Sequence, residues 1–259
     1  MKAVLGVLNH RKQCTIALEY SDWLPDVELA GKKFLDIGSG SGLFSLAAKR
    51  LGADVFSFDY DMNSVECTRC MRDQHGYAED GWFVERGDVL DDTYLQKLYG
   101  QYDIVYSWGV LHHTGNMWKA LENAELCLNQ QTDSMLFIAI YNDQGQLSNR
   151  WKKIKKTYCS ANRFGKAIMR AFILFYEYVI HDGWRFIKHP IRFCKNRKKD
   201  VGRGMNRYHD IIDWYGGYPF EVAKPEEIFD FYKQKGYSLE KMSTCEDGSG
   251  CNQFVFKKR

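Results

Sequence analysis

The chain has 259 residues and a formal net charge of +3, with 45% hydrophobic and 27% charged residues. That composition excludes a disordered chain, 22 Gly against 4 Pro exclude a collagen-like or low-complexity one, and no apolar run reaches the ~20 residues of a membrane span. The run Ala3-Val4-Leu5-Gly6-Val7-Leu8 is too short for a signal h-region and passes at once into Asn9-His10-Arg11-Lys12, so the expected location is cytoplasmic. The eight cysteines then read as reduced thiols. Cys67 and Cys70 form a single Cys-x-x-Cys inside a helical pattern, and no metal site is expected from it.

Apolar runs and helical patterns alternate along the chain. Lys33–Ile37 reads as a buried strand, Ser41–Leu51 as a helix with Leu43, Phe44, Leu46, Ala47 and Leu51 on one face, and Asp54–Phe58 as a second strand. A helix over Met62–Asp73 follows, then strands over Trp82–Arg86 and Tyr102–Ser107, a helix from Asn116 to Leu128 and a fifth strand over Ser134–Tyr141. Pro225–Gln234 reads as a helix with proline at its start. Tyr237–Met242 and Asn252–Lys257 close the chain as two strands around Glu246-Asp247-Gly248-Ser249-Gly250. Strand–helix alternation on this spacing predicts an α/β protein: a seven-stranded, mostly parallel sheet with an antiparallel edge strand and a helical insertion after strand five.

The small net charge hides an asymmetry. Residues 150–208 hold 17 Lys and Arg against three acids (Glu177, Asp182, Asp200), a net of +14, while the rest of the chain carries 19 basic and 30 acidic residues. The composition of that stretch also shifts toward aromatics. We therefore divide the chain into a core (1–142), a basic helical insertion (143–222) and a returning core segment (223–259).

The first strand runs into Asp36-Ile37-Gly38-Ser39-Gly40-Ser41-Gly42. Glycines let backbone turn sharply and approach a ligand with no Cβ in the way. A dinucleotide fingerprint would need its last glycine where Leu43 stands. Asp36 would repel a pyrophosphate and attract an ammonium or sulfonium group, so the pattern suits a cationic, phosphate-free cofactor and counts against an NAD-dependent oxidoreductase.

Asp-x-Gly-x-Gly-x-Gly after a first strand resembles motif I of class I S-adenosylmethionine-dependent methyltransferases, whose sheet is Rossmann-like, and the rest of residues 33–141 follows the same pattern. The resemblance implies an S-adenosyl-L-methionine site built from Asp36, Gly38, Ser39, Gly40 and Gly42, with the ribose on Asp59 (next to Tyr60) at the end of strand two. It places the adenine near Asp88 and Val89 at the end of strand three, and Ser107 and Trp108 along the cofactor. Each has a plainer alternative: Asp59 as a turn acid with Asp61 in its role, Asp88 as a helix cap, Trp108 as packing. The segment Ser107-Trp108-Gly109-Val110-Leu111-His112-His113 is similar to the post-strand-four segment of the small-molecule branch, the quinol and sugar methylases.

Methyl transfer from a sulfonium is an in-line displacement that chiefly needs alignment and exclusion of water. A base is required when the acceptor must lose a proton. The candidates are His112, His113, His209, Asp210 and Asp213. His209 opens the stretch His209-Asp210-Ile211-Ile212-Asp213-Trp214-Tyr215-Gly216-Gly217-Tyr218-Pro219-Phe220-Glu221, which is similar to a pattern in a subset of bacterial methyltransferases and reads as a loop that shapes a pocket. The expected partner is a small polar, anionic or glycan-type acceptor methylated on oxygen. The basic insertion leaves further readings open: an RNA backbone, less favoured because no RNA-binding module motif is present; an anionic membrane met through Phe164–Ile191, with a lipid or quinol acceptor; or a solvated helical cap. A non-catalytic binding protein on the same fold is the alternative of another class.

Overall fold

The structure is a computed structural model, and it describes residues 29–79, 81–129, 133–190 and 207–258. The side chains of Arg185, Arg207, His209 and Asp210 are outside that set, as are the run Ala3–Leu8 and the basic residues between 191 and 206. The described residues form two compact units: one runs to Gly145 and resumes at Glu221, and the other is Gln146–Phe220.

In the first unit, β1 (Lys33–Ile37), β2 (Asp54–Asp59), β3 (Trp82–Arg86), β4 (Ile104–Trp108), β5 (Met135–Tyr141), β6 (Tyr237–Ser243) and β7 (Cys251–Lys258) form one sheet in the order β3-β2-β1-β4-β5-β7-β6. β1 to β5 are parallel to one another. β7 runs against both β5 and β6, and the pair β7-β6 gives this side of the sheet the antiparallel edge region that the final hairpin predicts. The chain order reverses between β1 and β4, and in an open α/β sheet that switch point is where a ligand binds, beyond the carboxyl ends of the strands.

The crossover helices are α1 (Leu43–Arg50), α2 (Met62–Gln74), the short α3 (Asp92–Leu95), α4 (Met117–Leu126) and α9 (Pro225–Gln234). One face of the sheet buries Leu35, Ile37, Val105, Leu136, Ile138 and Phe254 against α4 and α9; the other buries Phe34, Val55, Ile104, Phe137 and Val255 with Leu46 and Val65. Alternate residues of one strand serve opposite layers, as a pleat with two covered faces requires.

The second unit contains α5 (Gln146–Ser160), α6 (Arg163–Phe175), a wide π-helical turn (Tyr176–His181), α7 (Asp182–Lys188) and α8 (Arg207–Gly216). Its core is small: Tyr158, Ile173 and Tyr215 are buried, with Trp151, Met169, Ile211 and Trp214 packed on them. The expected loop over 207–221 is a helix as far as Gly216, because Ile211, Trp214 and Tyr215 stand at helical spacing and all pack onto this core.

Candidate functional site

The turn after β1 is drawn tight by its neighbours. Gly38, Gly40 and Gly42 all have φ in the left-handed region, at 77°, 56° and 78°. A Cβ on Gly38 would lie 2.4 and 2.5 Å from the two methyls of Val110, and one on Gly42 would lie 3.0 Å from the Thr68 Cα. A Cβ on Gly40 would meet nothing within 4 Å, so the middle of the turn faces open space. The N–H groups of Gly38 and Ser39 donate to the Phe58 carbonyl (2.8 and 3.2 Å). The Thr68 hydroxyl donates to the Gly40 carbonyl (3.2 Å) and pairs with the Ser39 hydroxyl (3.0 Å).

Asp59 closes the turn from the end of β2. Its Oδ2 accepts the Gly40 N–H (2.9 Å) and its Oδ1 the Asp61 N–H (2.9 Å). Burial raises its pKa, and these N–H donors act against that rise. Asp61 caps α2 by accepting the Asn63 N–H, so the two acids have separate roles. Tyr60 is exposed, with the Arg86 guanidinium 5.5 Å from its ring centre. The cap of α3 is Asp91, which accepts from Thr93 and Tyr94. Asp88, half-buried, accepts the Leu90 N–H at 2.8 Å and sits next to Gly87, where a Cβ would strike the Tyr94 ring at 2.3 Å.

Four of the residues expected at the cofactor bury their side chains. Asp36 is 2% exposed and acts from beneath the turn, where it accepts the Ser45 hydroxyl. Burial pushes its pKa up to about 7, and the Ser45 hydroxyl acts against that rise. Ser107 is buried and donates to the Ile37 carbonyl (3.0 Å), tying β4 to β1 at the switch point. Val89 is a core residue whose carbonyl accepts from Asn123 (2.9 Å). The Ser39 side chain is buried against Thr68. Trp108 is half-buried, stacks on Phe44 at 6.4 Å and donates to Gln253 at 3.3 Å.

Beyond β4, Val110 fills the hollow over Gly38, and the chain enters the short 3-10 turn Leu111–His113. His112 is buried with its ring 4.0 Å from that of Tyr141 at the end of β5, and its Nδ1 accepts the Tyr141 N–H at 3.4 Å. That bond fixes the tautomer of the neutral ring with its proton on Nε2. Its carbonyl accepts the Glu221 N–H (3.0 Å), and the Glu221 carboxylate in turn accepts the Met117 N–H (3.1 Å) at the start of α4, where Asn116 makes no side-chain cap. A carboxylate there is favoured by the helix dipole. His113 is half-exposed, 4.5 Å from the His112 ring and edge-on to Tyr141 at 5.4 Å. The sequence reading missed Val110, Thr68 and Tyr141. Tyr141 alone carried a signal, its place at a strand's carboxyl end.

The remaining base candidates, His209, Asp210 and Asp213, lie on α8 of the helical unit. Asp213 is exposed, and the side chains of His209 and Asp210 lie outside the described residues. Lys155 of α5 is fully buried in that unit: its ammonium lies 3.9 Å from the Trp214 ring centre and 4.9 Å from that of Phe220, and it donates to the Trp214 carbonyl. Burial pulls its pKa down to about 8.

The arrangement fits an adenosyl group bearing a methylsulfonium: open space above Gly40, a fixed carboxylate at Asp59 for paired hydroxyls, and a second acid at Asp88. The chain is similar over 120 residues, at 38% identity, to the ribosomal protein L11 methyltransferase of Leptospira interrogans, the match covering 46% of this chain and 37% of that protein. Over 85 residues it is 33% identical to the ubiquinone biosynthesis O-methyltransferase of Acinetobacter baylyi, covering 33% of this chain and 34% of that one. The matched stretch thus spans about a third of the length of these relatives. Magnesium protoporphyrin IX methyltransferase from Synechocystis PCC 6803, solved with bound SAH, superimposes with a TM-score of 0.55 at 14% identity, over 98% of this chain and 90% of that one, a likeness of fold. A family model described as a methyltransferase domain matches residues 8–167. With the cradle and the match in agreement, the chain belongs to the methyltransferase-domain family of class I, S-adenosylmethionine-dependent enzymes.

Proposed function

We propose that the chain methylates a hydroxyl oxygen of a small polar acceptor, with His113 as the base. The observation that carries this reading is the imidazole pair on the turn locked to the glycine cradle: Val110 packs on Gly38, and two residues later His112 is held by Tyr141 with His113 beside it on the accessible side. S-Adenosylmethionine, when bound, supplies an electrophilic methyl group. Gly38, Gly40 and Gly42 shape its cradle, Asp59 accepts its ribose hydroxyls, and Asp88 stands at its adenine end. His113 takes the proton of the acceptor hydroxyl as oxygen attacks, and neutral imidazole is matched to that task near neutral pH. His112 positions it: the buried ring, braced on Tyr141, sets the path of the turn. The similarity to a ubiquinone biosynthesis O-methyltransferase supports oxygen as the methylated atom.

The test is a transfer assay. The purified chain is given methyl-labelled S-adenosylmethionine and a cell extract separated into small-molecule, protein and RNA fractions. Label is expected in alkali-stable ethers of the small-molecule fraction, and label confined to protein or RNA contradicts the proposal. His113→Ala should lower kcat ~10²–10⁴-fold and remove the acidic limb of the rate profile, with adenosylhomocysteine affinity unchanged. His113→Ala with wild-type kcat would remove His113 from its role.

A further inference from the structure

The helical unit turns large apolar side chains outward. Phe164, Ile168, Phe172 and Phe175 follow one another at intervals of four, four and three residues, which sets them in one stripe along α6. The buried face of the same helix is different: Ile173 and Met169 pack on Tyr158 and Tyr215. The stripe itself is bare, with Phe164 75% and Phe172 68% exposed, and it continues past the π-helical turn in Trp184 (58%) and Ile187 (76%). An isolated apolar side chain at a surface is ordinary, but a contiguous run of this size marks an interaction site. Exposed cations lie on the same helices: Arg163 and Arg170 on another face of α6, Arg170 donating to the Tyr158 hydroxyl (2.7 Å), and Lys188 at the end of α7. The sequence from 150 to 208 carries the net +14 noted above.

We propose that this face docks on an anionic lipid surface, with α6 and α7 lying in the headgroup plane and the Phe164–Ile187 stripe in the acyl boundary. The charge selects the occupant. A second copy of the chain would bring two strongly basic segments together, and like charge across an interface is costly. RNA would use the cations and stack on rings, but Ile168 and Ile187 offer no face on which a base can stack. An anionic bilayer satisfies both features, because the apolar stripe is buried while Lys and Arg meet lipid phosphates. Among the described residues no helix is long and apolar enough to cross a membrane, so the geometry points to a helix that lies on the surface. This inference stands apart from the identity of the acceptor.

The experiment is co-sedimentation of the full chain with vesicles of phosphatidylcholine alone or mixed with phosphatidylglycerol. Binding to the mixed vesicles is expected, weakening as salt is raised. Phe172→Glu and Phe164→Glu, each at an exposed position, should each lower partitioning roughly tenfold or more, while circular dichroism and adenosylhomocysteine affinity stay as in the wild type. Several outcomes overturn the proposal: no binding to mixed vesicles; equal binding to pure phosphatidylcholine; binding unchanged in both variants; a vesicle-free dimer that the variants dissolve; or capture of single-stranded RNA abolished by Phe172→Glu with vesicle binding absent.

Discussion

The two units use their side chains in opposite ways. In the sheet unit the polar groups around the switch point are turned inward onto backbone: Asp59 on Gly40 and Asp61, Ser107 on Ile37, Thr68 on Gly40, His112 on Tyr141. Their product is a fixed, largely backbone-walled cradle. In the helical unit the arrangement is reversed: a charged group, Lys155, is buried among aromatic rings, while phenylalanines and isoleucines face outward. Side-chain hydrogen bonds to backbone are thus concentrated at the glycine turn, and exposed apolar side chains on the helices. An apolar periodicity identical to that of a core helix can belong to an exposed face.

The largest effect that would sharpen this contrast is expected at Gly38. Gly38→Val combines a left-handed φ with side-chain atoms driven into Val110. Adenosylhomocysteine affinity measured by calorimetry should fall roughly a hundredfold or more, while the vesicle binding inferred for the helical unit stays at its wild-type level. Equal loss of both would show that the two regions do not act separately.

Lys155 offers the next test, from the other unit. Its folded pKa of about 8 lies below the ordinary 10.5, so between these values the unfolded chain binds the additional proton. The contribution of Lys155 to stability therefore rises as pH increases from about 8 to 10.5, and the cost of its buried charge is complete below 8. Lys155→Met should abolish that slope in denaturant titrations at fixed pH values. Persistence of the slope in the variant would assign it to another group.

An effect of opposite sign is expected at Asp36, whose shift is in the other direction. Its carboxyl titrates near 7 when folded against 3.8 ordinarily, so the folded chain holds the additional proton in that window and stability declines as pH rises through it. Asp36→Asn keeps a polar partner for Ser45 and should flatten the decline. An unchanged profile would mean that Asp36 is already ionised beneath the turn.

How much of this was legible in the sequence depends on the kind of interaction. The parallel sheet, the antiparallel edge, Asp59 and Asp88 at strand ends and the three glycines could all be read, because strand periodicity and left-handed turns leave marks at the positions that need them. The inward orientation of Asp36, Ser39 and Ser107 could not, since a buried and an exposed acid or serine look alike in one sequence. The stretch after residue 206 was read as a loop because its glycines, aromatics and acids outweighed the spacing of Ile211, Trp214 and Tyr215, and contacts with Trp151 and Tyr158, more than fifty residues earlier, decided the matter for helix. The outward stripe of α6 was visible only as hydrophobic periodicity, which by itself does not say which side faces the core.

The most direct test of the account is calorimetric titration with adenosylhomocysteine of the wild-type chain and of Asp59→Ala, with NADH as the competing ligand class. The account predicts one site per chain, an affinity roughly tenfold to a hundredfold weaker in the variant, as removal of a charged acceptor from two hydroxyls implies, and no heat from NADH. Equal affinity of the two proteins, or a preference for NADH, would contradict it.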